Sequence, residues 1–400
     1  MFQSKKKILG SSLLIMGAMI GVGMFALPVI QGAGGFFPGL FILALCWIYT
    51  VCAARLLLEA CTWMPRGANF ITIARHLVGK RGAFFCWFLY AFFFYCGMTA
   101  HIAAASDTIG QLSNHEFSNT LSAILYTAIF CGFVYYSLRA SDFLNRIIIG
   151  ALALTFLIFI ISAFHDINPN FLLQHRWVYA WPAIHVVLYA FAFQSIIPPL
   201  YNYMDGDANA MKRAIWIGPS CTLVLYAIWN LMVMGIVPGK DLFDAFMVGD
   251  SPFHSLEIIL QNSLISGIVQ EFAILAISTS FLGMSISFFD FWADTLQWSK
   301  KGLQGAFLAC LVFILPLIFA LVYPNIFIRA LDLGGEVGSS ILLGLFPILF
   351  VWIGRYYKYP GITPELLPGG KTGLSILIAA TLIFLALHHI FENFAGTAQF

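Results

Sequence analysis

Gly17-Ala18-Met19-Ile20-Gly21-Val22-Gly23-Met24-Phe25-Ala26-Leu27-Pro28 places three glycines and a proline inside an apolar run from Ile8 to about Ile30. A run of ~20 apolar residues reads as a membrane-spanning helix, because lipid offers backbone amides and carbonyls no other partner. Glycine and proline in its middle work against that helix. Three readings of the stretch are open. Gly17-x-x-x-Gly21 makes a small-residue face on which another helix can pack closely. Gly21-x-Gly23-x-x-Ala26 formally matches a dinucleotide fingerprint, but no strand precedes it and no acidic residue follows about 20 positions on, which removes that reading. The third is a helix broken in mid-membrane, whose freed amides and positive half-helix end face an anion such as a substrate carboxylate. Pro28 favours the break. So does a second interrupted run, 181–203, where Gln194 and Ser195 precede Pro198-Pro199. Interruptions at matching places in two halves point to an inverted-repeat transporter whose binding site lies where both helices unwind.

The rest of the chain suits that reading. Of its 400 residues 60% are hydrophobic and 10% charged, against roughly 25% charged in an average globular protein. A soluble surface cannot be built from this, and an all-α polytopic membrane protein in contact with the lipid bilayer is expected. Eleven apolar runs are long enough to span: 8–31, 37–59, 83–106, 118–138, 145–165, 181–203, 214–236, 263–289, 304–323, 326–353 and 372–393. The tenth carries Arg329, Asp332 and Glu336 in its first half. The first five (8–165) pair with the next five (181–353) as inverted repeats within one domain, 1–400, and the eleventh is extra. Lys5-Lys6-Lys7 before the first run imitates a secretory signal, but the run is too long and is the first of many. Between the second and third runs, Asn69 to Val78 is weakly amphipathic and is expected at the interface.

With the N-terminus inside, seventeen of the 20 Lys and Arg fall on the inner side, leaving only Arg176, Lys240 and Arg329 outside. This bias puts the N-terminus in the cytoplasm and, after an odd number of spans, the C-terminus near Gln399 outside. A net charge of +2, with the basic residues spent on orientation, excludes nucleic-acid binding. The eight cysteines lie in or beside apolar runs without zinc spacing and read as small core residues. A membrane-embedded enzyme would gather histidines or acids at one face, and a channel would show charge rings or repeated filters. The nine histidines are scattered, and Asp290 and Asp294 form an i,i+4 pair without a histidine.

Few polar residues remain for function. Ser278 and Thr279, before Gly283 in the eighth helix, either bond back to their own i−4 carbonyls or offer neutral oxygens to a small hard cation such as sodium. Glu271, about two turns inside that helix, is costly there unless paired or protonated; a proton-coupling group and a water-facing vestibule residue both fit it. His101 and His185 lie mid-helix and read as hydrogen-bonded core histidines, and His388-His389 as interface residues.

Four motifs, G-x-x-I-G-x-G-M-x-A-L-P at 17–28, N-Y-M-D-G at 202–206, T-S-F-L-G at 279–283 followed by F-D-F-W-A-D at 289–294, and V-Y-P-N-x-F-I-x-A-L at 322–331, together resemble the bacterial tyrosine and tryptophan permeases of the aromatic amino-acid permease family. The resemblance runs over nearly the whole chain. It implies the five-plus-five inverted-repeat fold shared with sodium-coupled leucine transporters, and cation-driven uptake of an aromatic amino acid across the inner membrane. By motif position it implies that the amides of Val22 and Gly23 and the carbonyl of Met19 hold the substrate's carboxylate and ammonium. Carbonyls near Ala192 and Phe193 complete the ammonium site, with Gly21, Gln194 and His101 as further substrate-site residues. The carbonyls of Gly17, Ile20 and Leu275 with the hydroxyls of Ser278 and Thr279 match the relatives' sodium site.

Two departures stand out. Ala192-Phe193-Gln194-Ser195 replaces a G-F-H-G-like stretch, and no ionisable group lies between Arg146 and His165, where proton-coupled members can carry a lysine. The expectation is a symporter for tyrosine, then tryptophan or phenylalanine, without a cofactor, coupled to sodium before protons. A proton-coupled permease for the same or another neutral amino acid is the alternative, and a membrane-embedded enzyme the remote one. At the inner gate a lysine of Lys5 to Lys7 pairs with Asp294 in the outward-facing state, unless these charges only follow the positive-inside pattern. Oligomeric state is not specified by the sequence.

Overall fold

The computed structural model describes residues 2–113, 116–136, 138–248, 263–323, 326–361 and 365–395. The expected C-terminus near Gln399 lies outside these residues, as do the side chains of Lys5, His388 and His389.

Among the described residues every apolar run is helical, with interruptions in the first and sixth. The first span is a bent pair, α1 (Phe2–Met19) and α2 (Val22–Gly32), with 55° between Lys6–Met19 and Val22–Gly32. Next come α3 (Phe36–Thr62), α4 (Phe70–Leu77), α5 (Gly79–Leu112), α6 (Asn119–Tyr136) and α7 (Leu138–Ala163). A short helix α8 (Pro169–Leu173) leads into the sixth span, made of a 3-10 turn Trp177–Ala183, α9 (Ile184–Ala190), a second 3-10 turn Gln194–Ile196 and α10 (Ile197–Tyr203). Then follow α11 (Ala208–Ile236), α12 (Gly239–Val248), α13 (Ser263–Leu296) and α14 (Gly302–Val322). The tenth span is α15 (Phe327–Leu333), a π-helical stretch Gly334–Leu345, α16 (Phe346–Ile353) and a π turn Gly354–Lys358; α17 (Gly370–Ala395) is the eleventh. Among the described residues ten helices, and the bent pair as an eleventh, are long and apolar enough to cross a membrane. The all-α, eleven-span expectation holds.

Local chemistry sets the ends. Asn69 caps α4 by accepting from Thr72 N at 2.8 Å, and Asp207 caps α11 by accepting from Asn209 N and Ala210 N at 3.0 Å. Pro198 and Pro199 stand in the first turn of α10, where a missing amide costs nothing. The amphipathic segment at 69–78 is α4, and its apolar face seats Phe70 5.4 Å from Phe350 of the tenth span, on the bundle itself.

The π-helical stretch has a steric setting. A side chain on Gly335 would strike the His185 carbonyl, on Gly338 the Phe93 ring and on Gly344 the Tyr49 hydroxyl. Small residues thus let the tenth span lie close to the third, sixth and second.

At the face that carries the N-terminus, Glu59 and Arg355 form a buried bidentate pair, Nε to Oε1 at 2.6 Å and Nη2 to Oε2 at 2.7 Å. Leu366 N donates to Glu59 at 2.8 Å and Arg355 donates to Leu367 O at 3.0 Å, so the second span, the tenth span and the loop to the eleventh share one network. A buried ion pair is tolerated only with its remaining hydrogen-bonding capacity filled.

Candidate substrate site

In the first span the hydrogen-bond ladder ends with Ile20 N donating to Met16 O at 2.9 Å and restarts with Met24 N donating to Gly21 O at 3.0 Å. The amides of Gly21, Val22 and Gly23 therefore stand at the open positive end of α2. In the sixth span α9 stops at Ala190, and Phe191 to Phe193 are non-helical. The break lies ahead of the expected Gln194 to Pro199 stretch, because the prolines begin the next helix.

The two breaks touch. A Cβ built on Gly23 would lie 3.0 Å from Ala190 Cα and 3.1 Å from its Cβ. Tyr226 of α11, fully buried, places its hydroxyl 2.7 Å from Met19 O and 2.8 Å from Ala190 O. Its one hydrogen is shared between the carbonyls that end α1 and α9. Each carbonyl has two lone pairs, so Met19 O can still accept from an ammonium.

A cavity of about 490 Å³ opens at this crossing. Its walls bring together Gly17, Met19, Gly21, Val22, Gly23, His101, Ala192 and Thr279 of the expected site, with Phe93, Phe94, Tyr189 and Met284 as an apolar wall. A Cβ on Gly17 would meet nothing within 4 Å. Gly17 is therefore cavity wall, and the small-residue packing face does not extend to it. A side chain on Gly21 would collide with Ser280. His101 links to the same point: its Nδ1 lies 2.6 Å from Gly97 O and its Nε2 2.8 Å from Ser280 Oγ. Since a carbonyl only accepts, Nδ1 carries a hydrogen, and in the neutral ring Ser280 donates to Nε2.

Other expected residues lie elsewhere. Phe193 is fully buried in the core, off the cavity. Gln194 is also off the cavity: its Oε1 accepts from Phe193 N at 3.0 Å and its Nε2 donates to Thr50 O of α3 at 3.5 Å. This corrects the expectation of substrate contact by the Gln194 side chain, because the unwound backbone uses that side chain as a cap. Ile20, Leu275 and Ser278 lie behind the wall; Ser278 and Thr279 are buried on α13, which packs against α1. Glu271 is exposed on α13 and does not line the cavity.

Towards the N-terminal face the cavity shares Ser195, Ile196, Pro199 and Ser287 with a recess of about 750 Å³ that includes Asn69, Arg75, Asp290 and Asp294. Asp290 pairs with Lys300 at 2.7 Å, and Lys7 pairs with Asp205, after the sixth span, at 2.5 Å. Lys7 thus engages Asp205 in this conformation, and Asp294 faces the recess. The Lys7 hydrogen bond and charge, with Arg66 beyond, hold the Asp205 carboxyl below its ordinary value. On the other side of the breaks Phe25, Trp229 and Phe272, all buried, pack ring to ring with centroids 5.5–5.6 Å apart. The cavity is open to the N-terminal face and shut at the opposite one.

Tyr226 and Tyr189 went unmarked in the sequence, and Ser280 entered only as a letter of the T-S-F-L-G motif, without a role. Ser280 adjoins Ser278-Thr279 and could have been read with them, whereas a tyrosine in an aromatic-rich span carries no local signal.

Two helices broken at a shared central cavity, within an eleven-span bundle, define a membrane transporter. The chain belongs to the tryptophan/tyrosine permease family, whose profile matches residues 4–388. It is 29% identical over 384 residues to the tyrosine-specific transport system 1 of Haemophilus influenzae, covering 94% of this chain and 95% of that protein. It is 27% identical over 345 residues to the tryptophan-specific transport protein of Pseudomonas aeruginosa, covering 83% and 82%. Its fold is similar to the crystal structure of the Eremococcus coleocola manganese transporter, with a TM-score of 0.64 at 13% identity over 96% of this chain and 85% of that one. Members of this family are permeases, not enzymes.

Proposed function

We propose that this permease imports an aromatic amino acid, tyrosine first and tryptophan or phenylalanine next, across the bacterial inner membrane as a cation-driven symporter. The observation that carries the reading is the crossing of the two breaks, where the open end of α2 meets a cavity walled by Phe93, Phe94, Tyr189 and Met284. The α2 amides take the carboxylate, carbonyls at Met19 and Ala192 take the ammonium, and the aromatic wall takes the ring. The relatives' names, tyrosine-specific and tryptophan-specific, support the same substrate class. Residues 8–165 and 181–353 act as the inverted repeats, with the N-terminus cytoplasmic and the C-terminus outside.

Sodium is placed first as the coupling ion, held by the carbonyls of Gly17, Ile20 and Leu275 and the hydroxyls of Ser278 and Thr279. Coupling needs ligands on elements that move apart, and α1 and α13 are such a pair. Proton coupling is the second reading, favoured by His101, which joins α5 to Ser280 and through it to the break at Gly21. Glu271, off the cavity, is the lesser proton candidate.

Counterflow of labelled tyrosine in proteoliposomes, with sodium and pH varied separately, tests both levels. Tyrosine exchange inhibited by tryptophan and phenylalanine but weakly by alanine is expected, since losing the ring forfeits about 2–3 kcal/mol of apolar burial. Stimulation by sodium at fixed pH is expected too. Uptake indifferent to sodium that collapses with an uncoupler moves the ion to the proton, and absence of aromatic counterflow overturns the function.

A further inference from the structure

We infer that the recess between α3 and α11 at the N-terminal face is a binding site for the phosphate of an anionic membrane lipid, held by Arg55, Lys212 and Arg213. The inference is independent of which substrate the central cavity takes.

Arg55 stands on α3 one turn, about 6 Å, before Glu59, and Lys212 and Arg213 stand in the second turn of α11. The two helices pack together, and Trp47 of α3 meets Trp216 of α11 edge to face with centroids 5.6 Å apart. Between them lies a recess of about 480 Å³ lined by Arg55, Asn209, Lys212, Arg213, Trp216 and Ile217. Three cations from two spans share one hollow, and no acid lines it.

The acids nearest to these cations along the chain are engaged elsewhere. Glu59 is held bidentate by Arg355, Asp205 pairs with Lys7, and Asp207 caps α11 through the amides of Asn209 and Ala210. Among the described residues no acid pairs with Arg55, Lys212 or Arg213. Like charges gathered at one recess repel, and an arginine inside a spanning run is costly until an anion or water meets it. Positive-inside topology explains basic residues at this face. It does not explain drawing three of them from distant stretches of chain to one hollow without a counter-charge. Arg55 Nε is sealed from solvent, so the far end of the guanidinium is the part that an occupant reaches.

The apolar flank says which anion fits. Trp216 and Ile217, 45% and 44% exposed, line the same recess one turn further into the seventh span. Indole and aliphatic side chains at that height lie where headgroups give way to acyl chains. Cations at the rim and exposed apolar side chains towards the membrane suit a molecule that is anionic at one end and apolar at the other, and basic pockets between spans hold lipid headgroups in this way. Inorganic phosphate would meet the cations and leave the apolar flank unused.

The experiment is native mass spectrometry of the purified protein in a neutral detergent, with phosphatidylglycerol, phosphatidylcholine or inorganic phosphate added. The variants are Arg55→Gln, Lys212→Gln with Arg213→Gln, and a control pair from other loops of the same face, Lys301→Gln with Lys371→Gln. The wild type is expected to retain phosphatidylglycerol in preference to phosphatidylcholine. Its affinity for phosphatidylglycerol should fall about fivefold in Arg55→Gln and about 25-fold in the paired variant, at about fivefold per cation beside a headgroup, and stay unchanged in the control. Lys212 and Arg213 lack an ionic partner among the described residues, so the paired variant should keep the wild-type melting temperature in lipid-free detergent and remains a test even where Arg55→Gln unfolds. Equal retention of phosphatidylcholine, a control that loses as much affinity as the paired variant, or inorganic phosphate bound as tightly as the lipid overturns the site.

Discussion

Gly17 and Gly23 look alike in the sequence and differ in what surrounds them. Gly17 faces open space, whereas at Gly23 even a methyl group would crowd Ala190 across the break, at 3.0 Å. Gly17→Ala should therefore leave the melting temperature unchanged or raise it, because alanine favours helix by up to about 1 kcal/mol over glycine. Gly23→Ala should lower the melting temperature and abolish most uptake, since the two broken spans must part by a few tenths of an ångström at the proposed carboxylate site. Melting curves and tyrosine uptake on the paired variants check this, and equal behaviour of the two would refute it. The glycine-proline stretch announced a break. Which of its glycines face open space and which hold two spans together depends on neighbours more than 150 residues away, and no local pattern carries that.

At the scale of the element, both breaks were legible because glycine, proline and buried polar residues in a lipid-spanning run oppose an unbroken helix. The first lies where Gly21 stands. The second lies a few residues early, at Phe191 to Phe193, since proline in the first turn starts a helix as readily as it ends one. Gln194 was read as a substrate-site residue by its motif position in the interrupted run. A buried glutamine, however, satisfies whichever backbone group lies nearest, and here that is the Phe193 amide. Gln194→Leu should cost about 1–3 kcal/mol of stability by orphaning that amide. It should leave the ranking of tyrosine, tryptophan and phenylalanine as inhibitors unchanged, because the side chain is off the cavity. A changed ranking with unchanged stability would return Gln194 to the substrate site. The π-helical stretch at Gly334–Leu345 had no counterpart in the reading, although its glycines were in view. Glycine spacing signals close packing, and it does not encode how the ladder is wound.

For the whole molecule, one cavity open to the N-terminal face is half of a transport cycle, and the other half requires the Phe25, Trp229 and Phe272 seal to part. These rings come from the first, seventh and eighth spans, so opening the opposite face means moving α2 against its neighbours rather than rearranging a loop. Truncating a buried phenylalanine costs about 3–5 kcal/mol in a packed core. The contacts that Phe272 makes only in the sealed state place part of that cost on one side of the equilibrium. Phe272→Ala should thus raise the population open to the opposite face, by up to about tenfold for each 1.4 kcal/mol borne by the sealed state alone. Substrate presented at that face then meets more of the competent conformation, so KM falls. The return step, which must rebuild a seal now missing a ring, slows and takes kcat down with it. A purely structural role for Phe272 predicts a lower melting temperature with KM unmoved. Uptake kinetics measured in vesicles of defined orientation separate the two, and a fall in kcat without a fall in KM would count against the seal.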